Sequence, residues 1–210
     1  MTRSEPIPGS YVAAGEKLAG RSDFAVIGRM VEPRSRVLDL GCGDGELLEW
    51  LITNKQVSAR GVEIAPAKVR RAIARGVSVY QGDINEGLED YPAKAFDYVI
   101  LSQTLQETRH PLSILQEMLR VGKRAIVSFP NFGNWRVRLS MLVSGRAPRT
   151  KLFPYEWFES PNIHFLSVHD FELLADRQSF RIEHREFLAN EKPISTWPNL
   201  RAEVAVFLLA

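Results

Sequence analysis

Three glycines two residues apart, Gly41, Gly43 and Gly45, separate the apolar run Val37-Leu38-Asp39-Leu40 from the amphipathic run Glu46-Leu47-Leu48-Glu49-Trp50-Leu51. No other stretch limits the fold so tightly. The first run reads as a buried strand and the second as a helix, so the chain must turn between them within a few residues. Glycine enters positive φ at little steric cost and, having no Cβ, lets a ligand approach the main chain. The helix that follows points its unpaired N–H groups into the same space. The stretch is a strand–turn–helix cradle for a small molecule.

Two ligand types compete for such a cradle. A dinucleotide fingerprint reads G-x-G-x-x-G/A, and its third small residue lets helix and strand pack closely. Here Glu46 stands at that third position and Gly45 comes one residue early. A pyrophosphate also wants bare N–H groups, whereas this turn carries Asp39 at its entrance and Asp44 inside it, with no Lys or Arg beside them. Carboxylates favour a ligand with an ammonium or sulfonium and no phosphate, the chemistry of S-adenosylmethionine (SAM). Asp39-Leu40-Gly41-Cys42-Gly43-Asp44-Gly45 resembles motif I of the class I SAM-dependent methyltransferases.

The remaining chain alternates in the way such a fold requires. Strands are expected at 59–64, 77–81, 96–101 and 124–129. Between them come helices begun by Pro66 and Pro111, because proline is tolerated in a helix's first turn. Ser22 is expected to cap an earlier helix with Phe24, Ile27 and Val31 on its apolar face. Strand–helix alternation argues a mostly parallel sheet with helices on both faces. After Pro130 the alternation stops. Residues 131–144 read as helix, 145–165 as an aromatic connector with three prolines, and Ser167 with Asp170 as the capping box of another helix. Strands at 180–188 and 204–209 close the chain. The expected architecture is α/β, a Rossmann-like three-layer α/β/α fold of the class I methyltransferase type. Its sheet has seven strands, mostly parallel, with an antiparallel edge strand. Residues 1–21 are expected to form an N-terminal arm, with a helical turn near 12–18. Residues 22–210 would be one domain with a helical and aromatic insertion at about 131–178.

Open α/β sheets bind ligands at the carboxyl ends of their strands, and three acids fall there. Asp39 ends the first strand. Glu63 ends the second, 18 residues past Gly45, where a carboxylate can accept from both hydroxyls of a ribose. Asp83 ends the third, where it can accept from an adenine amino group while the N–H of Ile84 addresses the ring. Matching positions hold these roles in the methyltransferases that the motif resembles. With Gly41, Cys42, Gly43 and Ile64 they make up the expected cofactor site. Cys42 is read as a small residue that fits between glycines, because the acids around it oppose a thiolate.

Other classes are disfavoured. The single cysteine allows no intrachain disulfide and fits a reducing, cytoplasmic setting. The first ten residues lack the apolar core of a signal peptide, and no apolar run nears the roughly 20 residues of a membrane span. A net charge of +2 over 210 residues does not point to nucleic acid. The Asn/Asp-Pro-Pro-aromatic motif of nucleic-acid amino-methyltransferases is missing after the fourth strand, where Ser102-Gln103-Thr104-Leu105 stands. No His, Cys or acid cluster has metal spacing.

Specificity points to the segment after Pro130. From Met118 to Tyr155 there are eight Lys or Arg residues and no Asp or Glu. A helix there would be apolar on two sides, with Trp135, Leu139, Leu142 and Val143 on one and Val137 and Met141 on the other. Such a helix is either deeply buried or docked on something. Phe129-Pro130-Asn131-Phe132-Gly133-Asn134-Trp135-Arg136 and Pro154-Tyr155-Glu156-Trp157-Phe158 with residues 160–165, taken with residues 37–51, 54–57 and 115–122, resemble the methionine-biosynthesis MetW family. The resemblance covers roughly residues 22–188 and leaves out the first twenty and the last ten. It implies a methyltransferase-like fold that binds SAM or S-adenosylhomocysteine, and a partnership with homoserine O-acyltransferase. The alternative is SAM-dependent methyl transfer to a small-molecule acceptor. Residues facing substrate or partner would come from Gln103, His110, Asn134, Trp135, Arg136, Arg138 and His164. No catalytic residue and no metal ligand is assigned.

Overall fold

Every central strand is apolar on both sides, and its alternate residues feed two separate cores. In the computed structural model, which describes residues 21–150 and 152–210, the strands are β1 (Arg36–Leu40), β2 (Ser58–Glu63), β3 (Ser78–Gln81), β4 (Phe96–Ser102), β5 (Gly122–Pro130), β6 (Ile182–Ala189), β7 (Lys192–Ile194) and β8 (Val204–Leu209). The helices are α1 (Ser22–Met30), α2 (Glu46–Lys55), α3 (Pro66–Ala74), α4 (Pro111–Val121), α5 (Trp135–Ser144), α6 (Val168–Gln178) and the short α7 (Pro198–Arg201). On β4, Tyr98 and Ile100 join a core with Phe24 and Ile27 of α1 and Leu47, Leu48 and Leu51 of α2. Val99 and Leu101 join the opposite core with Leu115 and Met118 of α4 and Phe171 of α6. This period-two sorting makes the three layers.

The eight strands form one sheet in the order β3-β2-β1-β4-β5-β8-β6-β7. β3 to β5 are mutually parallel. β8 lies antiparallel between β5 and β6, and β7 pairs antiparallel with β6 at the edge. The count is therefore eight where seven are expected. The extra strand is β7, three residues whose Pro193 cannot donate to a ladder and so suits an edge.

Sequence signals set most helix ends. Pro66 and Pro111 open α3 and α4. At α6 the capping box is complete, with the Ser167 hydroxyl accepting from Asp170 N–H and the Asp170 carboxylate from Ser167 N–H. Two expectations need correction. Ser22 caps nothing and is the first helical residue, with Arg21 at the cap position. The helix expected from residue 131 begins at Trp135, because Asn131 folds into a buried turn, its amide donating to Ala202 and Asn199 carbonyls. The expected N-terminal arm and the turn near 12–18 lie outside the described residues, Arg21 apart. Among the described residues no helix is long and apolar enough to cross a membrane.

Candidate functional site

The glycine turn takes its shape from β2 and α3. The N–H groups of Gly41 and Cys42 both donate to the Val62 carbonyl, at 2.8 and 3.0 Å. All three glycines are left-handed, at φ +74°, +58° and +80°. A Cβ on Gly45 would come within 2.9 Å of Ala72 Cβ on α3, so the third glycine allows close helix packing, the task of the third small residue in dinucleotide sites.

A cleft of about 440 Å³ opens over this turn at the carboxyl ends of β1, β2 and β3. Gly41, Glu63, Ile64, Asp83 and Ile84 line it, so five of the eight expected cofactor residues meet there. Glu63 is buried, and its carboxylate accepts from the N–H groups of Gly43 at 3.0 Å and Ala65 at 2.9 Å. Each oxygen keeps a second lone pair for a ligand hydroxyl. Asp83 uses one oxygen to accept from the Asn85 main-chain N–H and side-chain amide, both at 2.8 Å, capping the 3₁₀ turn Ile84–Glu86.

Asp39 lies behind the cleft wall. Only 3% exposed, it holds one oxygen, Oδ1, with no hydrogen-bond partner among the described residues. Burial is the main reason its carboxyl is pushed up to about 7, with the charges of Asp23 and Glu63 adding and Arg21 opposing. A buried acceptor without a partner costs about 1–3 kcal/mol, and a cationic ligand group would relieve it.

Cys42 points away from the cleft into the core around Leu48. Its sulfur fills the space where a Cβ on Gly61 would lie. Burial first, then Asp39 and Glu63, push the thiol up to about 12, so it is an inert packing group. Gly43 does not line the cleft, and its N–H is taken by Glu63.

Three-dimensional structure adds charges that the turn itself lacks. Arg71 of α3 pairs with Asp44 at 2.9 Å, and Lys68, one turn earlier, lines the cleft with Arg109. The turn is therefore not free of cations, and Asp44 is engaged by α3. Glu107 also lines the cleft, and burial raises its carboxyl above the usual range.

A second buried cluster adjoins Asp39. Asp23 of α1 is completely buried, and its Oδ2 accepts from Arg21 at 2.7 Å, Ser102 at 2.8 Å and Ser128 at 2.7 Å. Burial alone would raise this carboxyl, but Arg21 and the serine hydroxyls outweigh it and hold it below the usual range. Asp39, Ser102 and Ser128 share the parity of Val37, Ile100 and Ile126, so all three face the α1 side of the sheet.

The residues expected to face substrate or partner scatter. Asn134 is a buried helix cap, its oxygen accepting from Arg136 N–H and its amide donating to the Arg201 and Ala202 carbonyls. The side chain is fully buried, so it presents nothing to a ligand. His110 is exposed at the start of α4 and outside the cleft wall. Gln103 sits in a left-handed turn, φ +49°, with its N–H on Ser128. Arg136 pairs with Glu203 at 2.7 Å, Arg138 donates to the Gly133 carbonyl, and Trp135 is 44% exposed. His164 is different. Its N–H and that of Ile163 both donate to the Gln106 carbonyl, which folds the connector onto the cleft, and Ile163 lines the wall. The side chains of His164 and Gln106 each bury one polar atom, Nε2 and Oε1, without a partner among the described residues.

Sheet order, glycine turn and acids at successive strand ends define a class I SAM-dependent methyltransferase fold. Solved structures agree on the fold. A SAM-dependent methyltransferase from Archaeoglobus fulgidus matches with TM-score 0.66 at 18% identity, over 91% of this chain and 95% of that one. One from Mesorhizobium loti matches with TM-score 0.65 at 16% identity, over 92% and 99%. Within that fold the chain belongs to the MetW family, described as methionine biosynthesis protein MetW, which it matches over residues 21–209. The match runs through β8, beyond the stretch where the resemblance was legible. A relative from Rhodopirellula baltica, the bifunctional methionine biosynthesis protein MetXA/MetW, is 35% identical over 185 residues. That alignment takes in 82% of this chain and 30% of the length of the relative.

Proposed function

We propose that this chain binds SAM or S-adenosylhomocysteine in the cleft over Gly41 and acts with a homoserine O-acyltransferase in methionine biosynthesis. The observation that carries the ligand half is the partnerless buried oxygen of Asp39, two residues before Gly41. The donor set fits the ligand. Asp39 would face the cationic amino-acid end, Glu63 the ribose hydroxyls, and Asp83 with Ile84 N–H the adenine edge. When bound, SAM supplies a methyl group on a sulfonium. The chain's own residues orient the ligand and shield it from water.

The partner half rests on the family and on the bifunctional relative, which joins MetXA and MetW in one polypeptide. Tethering of that kind holds two parts at an effective concentration of about millimolar. SAM is made from methionine, so a SAM-binding partner of the acyltransferase would report end product to an early step. Such coupling requires the acyltransferase to bind the liganded and free forms with different affinity. Calorimetry with SAM on wild type and Asp39→Ala tests the ligand half, and equal affinity would refute it. Homoserine acylation by the cognate acyltransferase, with and without this chain, tests the partner half. An unchanged rate would refute that one.

A second reading is methyl transfer to a small-molecule acceptor. The partnerless Gln106 Oε1 and His164 Nε2, on segments that close over the cleft, favour it. Direct displacement needs little beyond alignment of acceptor and sulfonium. Steady formation of S-adenosylhomocysteine with a panel of carboxylate and hydroxyl acceptors would establish it, and none across the panel would discard it.

A further inference from the structure

Of the fifteen large apolar side chains that stand well out of the surface among the described residues, ten fall between Trp135 and Phe165. α5 carries five of these ten. It runs ten residues, about 15 Å, and fully buries only Val137. Leu142 is 83% exposed and Val143 78%. A helix normally covers its apolar stripe, and exposed patches beyond a few hundred Å² mark interaction sites.

The patch is a built surface. Asn134 fixes the start of α5 to the Arg201 and Ala202 carbonyls. Phe132, in the turn before α5, packs on Phe153 at 5.4 Å and Phe165 at 4.7 Å, which ties the connector to the helix. Trp157 and Phe158 meet edge to face at 5.7 Å and stay 76% and 65% exposed.

Charge narrows the occupant. Arg136 and Arg149 are paired with Glu203 and Glu156, while Arg138 and Arg146 have no carboxylate among the described residues. Among the described residues only two cations here are uncompensated, against the clusters of about 4–8 that an anionic membrane takes or the run that a backbone-tracking nucleic-acid groove needs. A second copy in a two-fold pair would set this positive rim against itself. A protein face that is apolar and edged with carboxylates satisfies both features.

We propose that the outer face of α5, with Trp157 and Phe158, docks a folded protein whose matching face is apolar and rimmed by Asp and Glu. This rests on the reading above, and the partner meant is the homoserine O-acyltransferase. The same connector reaches the cofactor cleft. Ile163, in the cleft wall, follows Phe158 by five residues, so ligand and partner bear on one segment.

The test titrates the cognate acyltransferase with wild type, with Leu142→Asp/Val143→Asp, with Trp157→Ala and with Ile73→Ser. Ile73, also exposed, lies on α3 and is the control. The altered side chains point outward, so thermal melting and SAM titration should match wild type. Binding should weaken about thirtyfold or more in the α5 and Trp157 variants and hold in the control. Equal binding by wild type and the α5 variants would overturn the surface and leave the partnership standing. No binding by wild type would refute the partnership and this surface with it. Wild-type self-association lost in the α5 variants, or α5-dependent retention on phosphatidylserine vesicles, would give the face to a second copy or to lipid and overturn the protein occupant.

Discussion

The main-chain N–H of Gly43 donates to Oε2 of Glu63 at 3.0 Å, across the gap between the glycine turn and the end of β2. The other oxygen of Glu63 accepts from Ala65 N–H, just before α3. One carboxylate therefore holds the turn and the next helix start in register, besides facing the cleft. In Glu63→Gln one oxygen becomes an amide donor, and one of the two N–H groups loses its acceptor. The expected cost is about 1–3 kcal/mol of stability, read from urea unfolding. SAM affinity should fall tenfold or more, since hydrogen bonds to charged groups are worth about 1.5–3 kcal/mol. A ribose-only role would lower affinity and leave the unfolding midpoint where it was.

Asp39 should make ligand binding release a proton. Its carboxyl, pushed up to about 7 chiefly by burial, is mostly protonated at pH 6. A cation brought against it favours the ionised form. Calorimetry in buffers of differing ionisation enthalpy should show close to one proton released at pH 6, and almost none at pH 8. Asp39→Asn should abolish the release and weaken binding. Stability follows the same group. The unfolded chain ionises it near 3.8 and the folded chain near 7, so the folded state holds the extra proton in between. Its contribution is thus fully present below about pH 4 and lost as pH rises through about 7. The difference in unfolding free energy between wild type and Asp39→Asn isolates that slope.

Asp23 should prove the most costly single residue near the site. The buried Ser102 and Ser128 and the partly exposed Arg21 all donate to its Oδ2. Asp23→Ala leaves two buried hydroxyls and a partly exposed guanidinium without their common acceptor, and each buried group left unsatisfied costs about 1–3 kcal/mol. Asp23→Asn keeps a neutral acceptor and should cost less. A loss below about 1 kcal/mol in the alanine variant would show that water replaces the carboxylate readily.

The placing of acids around the cleft was legible because it follows from strand order. Glu63 closes β2, Asp39 is the last residue but one of β1 and Asp83 follows β3 by two residues, and parallel strands bring their carboxyl ends to one edge of the sheet. The cluster around Asp23 was not, since it joins α1 to β4 and β5 across more than 75 residues of chain. A trace was present. Ser102 follows Tyr98-Val99-Ile100-Leu101 at the end of β4, and Ser128 interrupts the run of Ala125, Ile126, Val127 and Phe129 in β5, which places two hydroxyls where only a polar partner could satisfy them. Lys68 and Arg71 were missed for the same reason, because α3 brings them back to a turn that shows no cation in its own sequence. The helix after Pro130 was legible only as a choice. Its apolar content left burial or docking open, and of Trp135–Ser144 only Val137 is buried, because apolar pattern records what a helix can cover and not whether its own chain covers it.

Gln106 separates a structural from a functional account of the connector. Its Nε2 donates to the Gln103 carbonyl at 2.7 Å, while its Oε1 is buried without a partner among the described residues. The first bond contributes about 1 kcal/mol and the orphaned acceptor costs about 1–3 kcal/mol. Gln106→Met fills similar volume with neither group, so the balance predicts a melting temperature equal to or above that of wild type. Sites that keep such a cost do so where function uses the group. The same variant should therefore lose methyl transfer if an acceptor binds there, with SAM affinity unchanged because Asp39 and Glu63 are intact. A clear drop in melting temperature would mean that Oε1 already has a partner, such as a bound water, and would remove the strongest sign of an acceptor pocket.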